Sequence, residues 1–167
     1  MLLDLLNKKT VQVSEGTGLD WKQAIELAAE PLINNKTIED GYIKEMLNVV
    51  ESEGPYINIG PQIALAHSRP AGNVHEIGLS ILKTNHSISL VNDEHPINLW
   101  FVLAAVDNNS HLAVIKELME LLTDESAVTA MLNATSEVDI LEVIARITKI
   151  GGYYYEIFSC MSKWSGK

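Results

Sequence analysis

His67 stands at the end of the apolar run Ile63-Ala64-Leu65-Ala66 and is followed by Ser68-Arg69-Pro70. That pattern puts an imidazole where a buried strand emerges into a loop, with rigid backbone behind the ring and solvent in front. An ordinary imidazole pKa of about 6.5 makes a neutral ring available near neutrality, as attack on phosphorus requires. Arg69, two residues on, can offer forked donors to a phosphoryl group or to a donor protein, with Ser68 between them. His111 lies in Asp107-Asn108-Asn109-Ser110-His111, directly after a second apolar run. The spacing predicts a helix capped by Ser110 with His111 in its first turn, where free amides and the helix dipole welcome an anion and disfavour a charged ring. Phosphoryl transfer asks a protein mainly for alignment and for donors to the equatorial oxygens. His67 and His111 are therefore the candidate catalytic pair, and Arg69, Ser68 and Ser110 the candidate phosphoryl-binding or partner contacts. The two rings meet at one edge only if the two apolar runs are neighbouring strands.

His75, His86 and His95 fall in polar contexts and read as structural or surface positions. The single cysteine, Cys160, cannot form an internal disulfide and has no ligand cluster around it, as expected of a reducing compartment. No HExxH and no Asp/His set at ligand spacing accompanies the histidines, which argues against a metal-dependent hydrolase, and neither a metal nor a cofactor is expected. A net charge of −10 over 167 residues excludes a nucleic-acid binder, since such binding rests on Lys and Arg neutralising phosphates. It favours basic protein partners instead. The longest apolar run, Leu99 to Val106, is far short of the roughly 20 residues a membrane span needs. Asp4 inside the apolar start, with no basic leader, points away from a secretory signal, so a cytoplasmic location is expected.

The elements that must position these residues follow from periodicity. Asp20 with Gln23 forms a capping box opening a helix through Trp21, Ala24, Ile25 and Ala28, closed by Pro31. Thr37 with Asp40 begins a second, with Tyr42, Met46, Val49 and Val50 at helical spacing, stopped at Gly54-Pro55. Tyr56 to Ile59, Ile63 to Ala66, Glu76 to Leu82 and Ile88 to Val91 read as strands, and Ile97 to Val106 as a central strand buried on both faces. Three helices follow, one after Ser110, one from Glu125 to Leu132, and one from Ser136 to near Gly151-Gly152. Helices at both ends of a mixed sheet imply an α/β single-domain sandwich over residues 1–150. The aromatic tail 151–167, with Tyr153-Tyr154-Tyr155 and Trp164, could dock on something, a second copy in a homodimer included.

The segment Gly54-Pro55-Tyr56-Ile57-Asn58-Ile59-Gly60-Pro61-Gln62-Ile63-Ala64-Leu65-Ala66-His67-Ser68-Arg69-Pro70 resembles the active-site signature of the mannitol/fructose family of IIA proteins of the bacterial sugar phosphotransferase system. Phe101-Val102-Leu103-Ala104-Ala105-Val106-Asp107-Asn108-Asn109-Ser110-His111-Leu112 is similar to a second block of that family, and Trp21, Tyr42 and Met46 look like its ascorbate-specific branch. The resemblance spans roughly Gly18 to Ile147. It implies the mannitol-type IIA fold and a phosphocarrier in which His67 accepts phosphate from HPr and passes it to a cysteine of a IIB component, itself coupled to a membrane IIC transporter. It implies that His111 steadies the transferring group. The sequence departs from the family pattern at Ala66, where proline is usual, and between Tyr42 and Gly54, where Lys44 is the one basic residue in place of an arginine. A second class fits the same residues: a IIA-like regulatory module that signals phosphorylation state by binding another protein.

Overall fold

The computed structural model describes residues 2–69 and 72–148. The tail 151–167, and with it Cys160 and the homodimer expectation, lies outside the described residues. Five strands, β1 (Val11–Ser14), β2 (Asn58–Gly60), β3 (Gln62–Ala66), β4 (Gly78–Ser89) and β5 (Pro96–Ala104), form one sheet in the order β1-β4-β5-β3-β2. It is mixed, with β1·β4 and β3·β5 parallel and β2·β3 and β4·β5 antiparallel. Helices α2 (Trp21–Asn34) and α3 (Asp40–Glu53) cover one face. The other is covered by α1 (Leu2–Leu5), α4 (Asn108–Leu122), α5 (Glu125–Leu132) and α6 (Glu137–Ile147). This is the expected α/β sandwich, with β5 at the sheet's centre and Ile97 and Leu99 to Ala104 all buried.

Side-chain alternation along the strands sorts the core into two layers. Leu99, Phe101 and Leu103 of β5 join Ile63 and Leu65 of β3 under the α4–α6 layer. Trp100, Val102 and Ala104 join Ala64 and Ala66 under α2 and α3. On the second face alanines in both sheet and α2 let the helices come close, and the large rings of Trp100 and Tyr42 fill what remains. Gly78 opens β4 where only glycine fits, because a Cβ there would stand 2.5 Å from Thr37 Cγ2.

Three sequence expectations are corrected. Pro31 does not close its helix; α2 runs on to Asn34 with Pro31 inside. Proline removes the hydrogen bond that would reach the carbonyl four residues earlier, and here Gln12 Nε2 donates to that carbonyl, Leu27 O, at 2.8 Å. The second helix starts at Asp40 with Glu39 as its N-cap, while Thr37 is held earlier, its N–H on Leu32 O and its carbonyl accepting from His75 N–H. The segments ending at Leu82 and starting at Ile88 are one strand, β4, whose exposed Asn85-His86-Ser87 stretch reads as a loop by polarity but stays extended. The start of the chain, to which the periodicity assigned no element, contains α1 and β1, the latter paired with β4 from Val11↔Ile81 to Ser14↔Thr84.

Candidate functional site

β3 and β5 are adjacent parallel strands, with Leu65 opposite Phe101 and Ala66 opposite Val102. Their C-terminal ends therefore deliver His67 and the loop into α4 to the same edge of the sheet. The His67 and His111 rings lie 5.9 Å apart between centroids, tilted by 48°. They share an open cleft of about 400 Å³ with Val49 and Glu53 of α3, Tyr56, Ser68, Arg69 and Asn108.

His67 Nδ1 is 2.8 Å from Leu65 O. A carbonyl only accepts, so the neutral ring carries its proton on Nδ1 and keeps its lone pair on Nε2. The ring is half-buried, and the Tyr56 ring meets it edge-on at 5.8 Å. Ser68 is held behind it by an N–H bond to the buried Tyr42 hydroxyl at 3.1 Å, and Arg69 stands exposed at the rim.

The helix carrying His111 begins earlier than its sequence suggests. Its N-cap is Asp107, whose Oδ1 accepts from Ser110 N–H at 2.8 Å and from Ser110 Oγ at 2.9 Å. Aspartate wins the cap over serine because a full negative charge also complements the positive helix end. Bonds from the Ser110 backbone and side chain hold the Asp107 carboxyl below the usual carboxylate range. His111 then falls one turn in, with its own N–H on Asp107 O at 3.3 Å, so the ring, rather than a free amide, is what it presents to the cleft. Burial, and secondarily the neighbouring His67, push the His111 pKa below its usual value and so favour the neutral ring.

The geometry thus brings His67, Ser68, Arg69 and His111 together and leaves Ser110 out of the cleft lining, its hydroxyl on Asp107. Sequence reasoning overlooked Asn108 and Tyr56, which line the cleft. Asn108 carries a signal in its place one residue after the cap, and Tyr56 in its place inside the quoted signature. Of the remaining histidines, His75 lies 3.3 Å from Glu39 and His86 lies 3.8 Å from Glu15, both exposed, while His95 Nδ1 bonds Asn58 Oδ1 at 2.8 Å. No group of three or more His, Cys, Asp or Glu side chains among the described residues could hold a metal ion, and no helix among them is long and apolar enough to cross a membrane.

The family described as "Phosphoenolpyruvate-dependent sugar phosphotransferase system, EIIA 2" matches residues 4–147. The chain belongs to this family. Two curated relatives of the IIA domain stand at equal identity. The mannitol-specific cryptic phosphotransferase enzyme IIA component of Escherichia coli is 30% identical over 127 residues, covering 76% of this chain and 86% of that protein. The ascorbate-specific PTS system EIIA component of Mycoplasma pneumoniae is 30% identical over 132 residues, covering 78% and 83%. Among solved structures, the mannitol-specific cryptic enzyme IIA of Escherichia coli superposes with a TM-score of 0.79 at 28% identity, covering 87% of this chain and 98% of that one. Escherichia coli IIA mannitol in complex with phosphorylated enzyme IIB mannitol gives 0.72 at 25% identity, covering 84% and 96%. The mixed five-stranded sheet flanked by helices thus has the mannitol-type IIA fold.

Proposed function

We propose that this IIA protein is a cytoplasmic phosphocarrier that takes a phosphoryl group from phospho-HPr on His67 Nε2 and passes it to a cysteine of a IIB component, serving a membrane IIC transporter. The observation that carries this reading is the His67 ring bonded through Nδ1 to Leu65 O and lining the cleft shared with His111, which leaves Nε2 to act as the nucleophile. The His67 lone pair forms the new N–P bond while the donor's N–P bond breaks and its imidazole keeps the electron pair. In the second step a thiolate of IIB attacks phosphorus and His67 Nε2 leaves, returning to its starting state.

His111, neutral under its surroundings, donates a hydrogen bond to a phosphoryl oxygen as the group passes. Arg69 and Ser68 contact the phosphoryl group or the docked partner from the rim, and Asn108 adds an amide donor at the helix start. Ser110 contributes through Asp107, holding the turn that aims His111. The partner reading draws support from the IIA–IIB complex of the mannitol relative. The cargo is an ascorbate-like sugar acid or a related sugar or polyol, in line with the ascorbate-specific and mannitol-specific names of the relatives.

Incubation with enzyme I, HPr and labelled phosphoenolpyruvate is expected to label the wild type and not His67→Ala. Undiminished labelling of that variant would sink the assignment. A labelled protein that hands its group to no IIB partner would move the reading to a regulatory module.

A further inference from the structure

Tyr42 lies in α3 with its ring buried in the core layer beneath that helix. Its hydroxyl sits between two backbone groups distant in sequence. It donates to Leu103 O in β5 at 2.6 Å and accepts from Ser68 N–H at 3.1 Å. The pairing of β3 with β5 runs to Ala66↔Val102 and stops there. A continued parallel ladder would carry its next rungs through residues 67–68 and 103–104. The phenol oxygen instead bridges a donor and an acceptor of those residues, in the manner of an inserted rung.

The consequence falls on His67. Residues 67–69 belong to no strand or helix, and Ala66 places no ring restriction on the backbone before them. The His67 ring is turned back on its own strand through Leu65 O, a contact that survives only while the chain leaves Ala66 in one direction. We propose that Tyr42 is a positioning residue for phosphoryl transfer: its hydroxyl ties the segment after His67 to β5 and so holds the ring with Nδ1 on Leu65 O and Nε2 in the cleft. This rests on the reading of His67 as the phosphoryl acceptor. Two chemical facts fit the task. A phenol can accept and donate at once, which Ser68 N–H and Leu103 O together demand. Burial pushes the Tyr42 pKa up to about 12, so the donated proton stays in place throughout the working pH range.

The test compares wild type, Tyr42→Phe and, as a packing control, Met46→Ala, which removes another buried side chain of α3 and leaves the Tyr42 hydrogen bonds to both backbone groups in place. Two readouts are taken on the full chain: steady-state transfer from phospho-HPr, and the 15N signals of the His67 ring. For Tyr42→Phe, kcat should fall roughly tenfold or more with KM for phospho-HPr within about twofold of wild type, since a displaced nucleophile loses transition-state alignment and keeps partner binding. Its His67 signals should move from the Nδ1-protonated pattern to a mixture of tautomers, while Met46→Ala keeps the wild-type pattern and kcat despite a lower Tm. Wild-type kcat and ring signals in Tyr42→Phe would overturn the proposal, as would the same ring change in Met46→Ala. If wild type takes no phosphoryl group, the functional reading fails, and the ring signals still decide whether Tyr42 orients His67.

Discussion

The two faces of the sheet are both buried, yet they hold their helices differently. Under α4–α6 the contact is made by Leu, Ile, Val, Phe and Met side chains, and its buried polar tie, Lys83 Nζ on Ala134 O, lies on β4 opposite Leu99, away from the histidines. Under α2 and α3 alanines of α2, β3 and β5 interleave with large apolar side chains, and the layer is stitched by side chain to backbone: Ser80 Oγ donates to Ala28 O at 2.6 Å, Gln12 Nε2 to Leu27 O, and the Tyr42 hydroxyl to Leu103 O. Apolar packing is non-directional and tolerates small shifts, whereas a hydrogen bond fixes distance and angle. Both faces bury a large apolar core, and of the three bonds it is the Tyr42 one that lies at the end of the sheet where His67 emerges.

That contrast can be broken by substitution. Leu118→Ala, in the middle of α4 and fully buried, should cost about 2–5 kcal/mol in urea unfolding and leave the labelling rate of the folded protein unchanged. A lost labelling rate at full folding would show that the first face also positions the site. Tyr42→Phe should cost about 1–3 kcal/mol, because Ser68 N–H and Leu103 O both lose their partner, and in addition slow transfer. Ser80→Ala should cost about 1 kcal/mol, read as a lower urea midpoint, with the His67 ring signals unchanged, since neither Ser80 nor Ala28 lines the cleft.

The smallest effect is on pH. The His111 pKa is below its unfolded value, so on acidification the unfolded chain takes the proton first. Stability should thus fall as the pH drops through about 6.5 and below, and stay flat above it with respect to this group. His111→Gln should remove that part of the acid slope, measured as midpoints between neutral and mildly acidic buffer. An unchanged slope would show that the ring is not desolvated in the folded protein.

Local chemistry was legible where the signal and its cause are close in sequence. The Asp20–Gln23 capping box forms as read, Asp20 accepting from Gln23 N–H at 2.8 Å and Gln23 Oε1 accepting from Asp20 N–H at 3.0 Å. The apolar run read as Ile97 to Val106 becomes the central strand, which ends at Ala104 with Val106 exposed, because only a strand buried on both faces needs apolar side chains without alternation. Readings failed where a distant partner decided. Pro31 looks like a stop unless Gln12 is known to lie over Leu27 O. Ser110 is a different case, since its partner is local: Asp107, three residues earlier, takes the cap and holds the Ser110 N–H and hydroxyl.

The sequence by itself determined that His67 ends a buried run, that His111 lies near the start of a helix that follows another such run, and that two signature-like blocks surround them. Nothing in the spacing could say that β3 and β5 are neighbours, since strand order is set by which faces and edges the whole chain can bury together. That order is what puts the two rings 5.9 Å apart. The Tyr42 bridge was likewise beyond reach of the sequence, for its hydroxyl joins groups 61 and 26 residues away, and only closing the fold brings them to one oxygen.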